Sequence, residues 1–229
     1  MDATRLPLVA TRPASFNGWL LVSLLILAGL WLGPLPAMSR TAFSAHMLLH
    51  LGVVALVAPL LAMGLVRAGL RLGSNMRGWM ALAFIMEMLV VWGWHAPALH
   101  EAAARQVLVF VVQQVSFLLV GLGVWLAGLA ARERGDLLIA MFGFALTLMH
   151  MTMLGVLLLM APTLIYPAEL CLGAFGFEAL EDQRLGGVLM AAWGGLAYLA
   201  GGIVLGWRLL RLLEAEAVVG PTRGDLNPK

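Results

Sequence analysis

Five histidines and a scatter of methionines are the residues of this chain whose types and spacing could do chemistry. His46 and His50 stand four apart with Met47 between them in "AHMLLH", and His150 precedes Met151 and Met153 in "LMHMTMLG". His95 lies in "WGWHAP", His100 follows shortly after, and Met190 ends "GGVLM". On a helix, His46, Met47 and His50 fall within an arc of about 100° and can face one cavity, while His150 and Met153, three apart, share another face. Imidazole and thioether together suit soft monovalent copper, whereas hard cations want oxygen ligands. Zinc would more often recruit cysteine or carboxylate to complete a tetrahedron. The expected chemistry is therefore ligation of one copper ion. His46, His50 and His150 are its core ligands, Met47, Met151 or Met153 its exchangeable soft donors, and His95 and Met190 lie on the path in or out.

The elements that must position these groups are membrane helices. Hydrophobic residues make up 62% of the 229 and charged residues only 11%, against about 25% charged in a typical soluble domain. The apolar residues come in long blocks, each sufficient for a hydrocarbon core of about 30 Å, which takes about 20 helical residues. The blocks predict an all-α, polytopic bundle of six spans, about 17–37, 44–66, 78–97, 106–131, 136–161 and 186–208. The first is read as a span rather than a cleaved signal, because its apolar run is too long and "GPLPAM" is a poor cleavage site. Eleven of the fourteen basic residues fall on one side of this topology, among them Arg5, Arg12, Arg67, Arg71, Arg77, Arg132, Arg134, Arg208, Arg211, Arg223 and Lys229. Arg40, Arg105 and Arg184 fall on the other. The positive-inside bias then places both ends in the cytoplasm. The expected organisation is a cytoplasmic tail 1–16, a bundle 17–208, and a flexible cytoplasmic tail 209–229 with its Pro, Gly and mixed charges. The net charge of +2 says little about partners; no nucleic-acid partner is expected, lipid surrounds the chain, and self-association is possible.

This topology gathers the histidines. His50 comes about 9 Å below the outer end of its span, and His150 about 10 Å below the same surface. His46 and His95 lie shallower in the same band, and His100 falls in the loop beyond, where a histidine is ordinarily solvated. Ionisable groups inside a membrane are rare and usually functional. Against that stand plainer readings: methionine as adaptable packing, histidine as an interhelical hydrogen-bonder, and "WGWHAP" as an interfacial belt ended by Pro97. Glu87, near mid-membrane, is read either as a polar clamp with Gln113 and Gln114 or as a proton-accepting or metal-relaying carboxylate beneath the histidines. The loop "EALEDQRLGG" reads as a solvated turn, with Asp182 and Gln183 at the mouth of the site. Cys171, the one thiol, forms no internal disulfide and reads as a small packed residue. No Ser/His/Asp arrangement or phosphate-cradling glycine loop stands out, so an enzyme is not expected.

The motifs resemble a known family. "HMLLHLGVVALVAPLLAMG", "WGWHAPALHEAA", "LMHMTMLGVLLLMAPTLIYP" and "EDQRLGGVLM" follow the order of segments in CtaG-type cytochrome c oxidase assembly factors, over residues 39–200. The resemblance implies a bacterial plasma-membrane protein that acts at the outer face and takes part in copper supply to haem–copper oxidases. Its partner would be an oxidase subunit or a periplasmic copper carrier. The resemblance also implies that His46, Met47, His50, His95, His150, Met151, Asp182 and Met190 occupy the family's matched positions. Gln113 and Gln114 stand where the family carries an acidic–His pair, and the family's frequent seventh span is absent. Three alternatives to a copper-delivering assembly factor stay open: a haem protein with His50 and His150 as axial ligands, a copper permease, and a structural oxidase subunit without metal.

Overall fold

A computed structural model describes residues 17–70, 72 and 76–219. Arg5, Arg12, Arg71, Arg223, Lys229 and the tail 1–16 lie outside the described residues. Every regular element among the described residues is helical. Helix α1 (Gly18–Leu32) is followed by the single turn α2 (Leu35–Met38), and α3 (Phe43–Leu51) runs through a π-helical segment (Gly52–Val57) into α4 (Ala58–Arg67). Then come α5 (Met76–His95), the short α6 (Pro97–Arg105), α7 (Val107–Ala130) and α8 (Arg134–Met160). Finally α9 (Ala179–Leu189) passes through a second π segment (Met190–Gly194) into α10 (Gly195–Val219).

Five stretches are long and apolar enough to cross a membrane: Phe43–Arg67, Met76–His95, Val107–Ala130, Arg134–Met160 and Ala179–Val218. The expected first span differs. Pro34 carries no N–H to extend the helix, and the chain turns extended at Gly33, so α1 stops after 15 residues. At 1.5 Å per residue that is about 22 Å, short of a full hydrocarbon core. At the other end of the chain, helix continues to Val219, so the part of the expected tail up to that residue is helical; 220–229 lie outside the described residues.

The five long stretches close into a ring: α4 on α7, α7 on α5, α5 on α8, α8 on α9 and α10, and α9 back on α3. Helix α1 lies outside the ring against α4, with Leu20 over Gly64 and Leu30 over Gly52. Leu24, Leu25, Leu82, Leu119 and Ile203 point outward, as a lipid-facing surface requires. Proline explains the first π segment: Pro59 has no N–H to offer the carbonyl four residues back, and a wider turn absorbs the mismatch. Trp125 Nε1 donates to the Val54 carbonyl at 3.0 Å inside that turn.

Small residues let the ring close. A Cβ on Gly155 would sit 2.6 Å from the Ala191 amide nitrogen and 2.7 Å from the Gly187 carbonyl, and one on Gly187 would sit 2.7 Å from the Gly155 carbonyl. Backbone therefore meets backbone where α8 crosses α9, as small residues permit in membrane bundles. Gly155→Val should force this crossing apart at a cost of about 1–3 kcal/mol. A lowered thermal unfolding midpoint of the detergent-solubilised protein checks it, with Gly29→Ala, where nothing lies within 4 Å, as the neutral control.

Candidate metal site

Four imidazoles meet at one end of the bundle. The His46 ring centroid lies 4.8 Å from that of His100, 5.6 Å from His95 and 6.3 Å from His50, and His50 lies 5.4 Å from His95. They come from α3, the end of α5, and α6. Phe117 of α7 closes the cluster from below, 4.0 Å from His50. Phe43 and Tyr166 close it from above: Tyr166 lies 4.2 Å from His100, and Phe43 stacks on Tyr166 at 5.0 Å. All four histidines are buried, none more than 5% exposed.

Burial without partners is the telling feature. His46 Nε2, His95 Nε2, His100 Nδ1 and both ring nitrogens of His50 have no hydrogen-bond partner within the protein. Groups buried so deeply are ordinarily satisfied, and each exception asks for a reason. The His95 tautomer is fixed, because its Nδ1–H donates to the Val91 carbonyl at 2.6 Å. A carbonyl only accepts, so the lone pair of His95 sits on Nε2. His100, beyond the end of the spans, is held neutral: burial, then the neighbouring His95, lowers its pKa to about 3.

The structure sorts the sequence-predicted residues. His46, His50 and His95 come together as the core of the cluster, and His95 is a member rather than a path residue. His100, read from sequence as a solvated loop histidine, is 4% exposed and joins them. Its loop is in fact helix α6, nucleated by Pro97 at its first turn and packed on α7. His150 stands apart, its Nε2 lying 2.7 Å from Glu87 Oε2. Met153 faces away: it is 48% exposed and lines a surface groove with Met149 and Val156. Three residues carry the side chain about 60° around the helix from His150, enough to cross from core to lipid. Met47, Met151 and Met190 are fully buried. Met47 lies on the Gly186 side of α9 and Met151 beside Gly194, so these thioethers follow the seam between α3, α8 and the second π segment. Among the described residues, no three His, Cys, Asp or Glu side chains already stand in metal-holding geometry.

Two polar readings change. Gln113 and Gln114 bond to each other at 3.4 Å, and Gln113 lines a narrow cleft with His46, His100 and Ser39, so the clamp on Glu87 is His150 and not the glutamines. Helical twist is the reason: Gln113 sits toward the histidine end of α7, whereas Glu87 lies two turns below His95 on α5. The stretch read as a solvated turn is helix α9, opened by a capping box between Glu178 and Glu181.

Asp182, fully buried, is the main hidden support. Its Oδ2 accepts the Phe43 amide at 2.7 Å and the Ser44 amide at 3.2 Å, and its Oδ1 accepts the Ser44 hydroxyl. A carboxylate thus caps the amino end of α3, where free N–H groups and the helix dipole favour negative charge. Gln183 beside it accepts the Ile165 amide at 2.8 Å and donates to the Thr163 carbonyl, pinning the 161–178 loop. That loop returns Tyr166 to the roof, where its hydroxyl donates to the His95 carbonyl at 3.0 Å. Cys171, in the same loop, is buried, its thiol raised to about 11 by burial and then by Asp182 and Glu169.

Asp182→Ala removes the cap and strands two buried amides, at a cost of about 1–3 kcal/mol. Hydrogen exchange at the Phe43 and Ser44 amides should accelerate, and the unfolding midpoint should fall. Unchanged exchange at both would disprove the capping role.

Two comparisons with known proteins, one with curated sequences and one with solved structures, find no match. A third does: residues 9–212 match the sequence model of the family described as cytochrome c oxidase caa3 assembly factor (Caa3_CtaG). The match spans most of the chain and includes every element that builds the imidazole cluster. The chain belongs to the caa3 cytochrome c oxidase assembly factor family.

Proposed function

We propose that this assembly factor binds monovalent copper at the imidazole cluster and passes it to an oxidase subunit, or takes it from a periplasmic copper carrier. The observation that supports the reading most is the set of buried ring nitrogens without partners on His46, His50, His95 and His100. Four close imidazoles with unpartnered ring nitrogens are a donor set that suits a soft cation. His46, His50, His95 and His100 are the ligands. Met47, Met151 and Met190 are the softer donors along the neighbouring seam, and Met153 is no longer among them. A narrow cleft at Ser39 and Gln113 borders the cluster at His46 and His100.

Orientation follows from charge. Arg67, Arg77, Arg132, Arg134, Arg208 and Arg211 gather at the end of the bundle opposite the histidines. By the positive-inside bias that end is cytoplasmic, and the cluster faces the exterior of a bacterial plasma membrane. The role proposed is carriage rather than catalysis. The haem alternative has less support, because His50 is packed against Phe117 and one ring nitrogen of His150 is engaged by Glu87.

The test compares full-length, detergent-purified wild type with the His46→Ala/His50→Ala double variant in Cu(I) competition titrations. Wild type should bind Cu(I) stoichiometrically and the double variant should lose it. In cells relying on the double variant, the oxidase should be copper-depleted. Normal oxidase copper there would favour a metal-free structural role, and copper uptake by vesicles holding only this protein would favour a permease.

A further inference from the structure

The 161–178 loop crosses the histidine end of the bundle and is tied down along most of its length. Gln183 holds Ile165 and Thr163, and the Tyr166 hydroxyl donates to the His95 carbonyl. Arg105 Nη2 lies 2.8 Å from Glu169 Oε1, and the Leu172 amide donates to the Thr41 carbonyl at 2.8 Å. The last part of the loop is different. Residues 170–177 carry no charged side chain, and Leu172, Phe175 and Phe177 stand 67%, 56% and 45% exposed. The Phe177 amide donates to the Ala174 carbonyl at 3.0 Å, closing a turn whose central residues, Phe175 and Gly176, have φ of 55° and 87°. Glycine, asparagine or aspartate ordinarily fills such positions, and a bulky side chain at positive φ is a genuine outlier. Gly173, also left-handed, packs on the Phe177–Glu178 peptide, where a Cβ would run into the Phe177 carbonyl. The chain thus accepts strain to hold an aromatic ring outward at the tip of an anchored loop. Such strain persists where something besides folding uses it.

We infer that Phe175, with Leu172 and Phe177 beside it, is the docking surface for a protein partner at the cluster end of the bundle, and that this partner is a subunit of the oxidase whose assembly the family serves. Lipid is the other way to cover an apolar tip, and the charges of α9 argue against it. The exposed face of α9 runs through Glu178, Glu181 and Arg184 before it reaches Val188, its first large apolar residue in contact with lipid. Glu178 to Arg184 alone is about 9 Å of charged helix between the tip and that residue. An aromatic ring in water, set inside a polar rim, has the composition of an interface anchor. The rim also states the partner's chemistry. Glu169 is paired with Arg105, whereas Glu178 and Glu181 border the tip without a cation. The partner therefore offers an apolar pocket flanked by lysine or arginine. The same loop lays Tyr166 over His100, so a partner seated on the tip stands beside the roof of the cluster. This inference rests on the delivery role and orientation proposed above, for which it supplies the partner's landing place.

The test uses the full-length chain in cells that assemble the oxidase, with the photocrosslinker p-benzoylphenylalanine replacing Phe175, or replacing the outward-facing Phe142 as a control. Light should join position 175, and not position 142, to an oxidase subunit. A tip joined only to lipid, only to a second copy of this chain, or to nothing overturns the inference. Phe175→Asn supplies a residue that tolerates positive φ. Its unfolding midpoint should hold or rise and its Cu(I) binding should match wild type, while recovery of the oxidase with the solubilised protein falls about tenfold or more. A lowered midpoint would instead mark Phe175 as a packing residue and overturn the inference. Glu181→Gln keeps the capping box and removes one charge, so recovery at low salt should fall about two- to fivefold; unchanged recovery overturns the basic flank of the pocket. A wild-type chain that crosslinks to the oxidase yet binds no Cu(I) keeps the docking surface and removes the copper reading.

Discussion

The site depends on one contact between distant parts of the chain. Asp182, on α9, holds the first amides of α3, about 140 residues earlier. Its carboxylate fixes where α3 begins, and a helix start fixes the azimuth and depth of everything after it. His46 and His50 are one and two turns on, so a shift of a single residue at the cap would rotate both rings by about 100°. The same helix carries Gln183, whose amide holds the loop that lays Tyr166 over His100. Floor, walls and roof of the cluster are thus referred to α9, and α9 in turn lies backbone to backbone against α8 through Gly155 and Gly187.

Around this frame the polar groups divide by whether the protein satisfies them. Trp125, Tyr166, Asp182 and Gln183 all find partners, as burial in a membrane demands. His46 Nε2, both nitrogens of His50, His95 Nε2, His100 Nδ1 and His150 Nδ1 do not. Trp31 Nε1 and Tyr198 Oη also lack partners, but the imidazoles are bare as a band, and local inconsistency of that kind concentrates at functional sites. The two π segments begin close to this band, one directly after the His50 turn and the other at Met190. Irregular turns of that kind recur where a helix serves something besides packing.

Much of this was legible in the sequence, for physical reasons. Blocks of apolar residues gave four of the long stretches to within two residues, because lipid imposes a length, but the fifth, read as 186–208, runs from Ala179 to Val218. The placing of His46, His50 and His95 in one outer band followed from the 1.5 Å rise and the span ends. What escaped required knowledge of who faces whom. His100 looked solvated because a post-helical Pro reads as a loop, yet Pro97 starts a short helix that tucks the ring inward. His150 matched His50 in depth but not in role, since depth says nothing of the Glu87 carboxylate beside it. Met153 turns out to face the surface, because spacing of three leaves room to cross from core to lipid. Asp182 looked like part of a polar turn, and only its partner 139 residues away revealed a cap.

Proximity without preset geometry has a consequence for how firmly a metal is held. Four rings within about 6 Å of His46 or one another are near enough to converge, yet among the described residues no three carboxylate, thiol or imidazole donors already stand in ligand positions. Rings must turn against Phe117, Phe43 and Tyr166 to close on an ion, and that reorganisation subtracts from affinity. A rigid tetrahedron would keep its metal, as structural zinc sites do. A packed cluster that has to deform on loading releases strain on unloading, and imidazole with nearby thioether lets donors exchange one at a time. Weak retention is what the proposed carrier role needs.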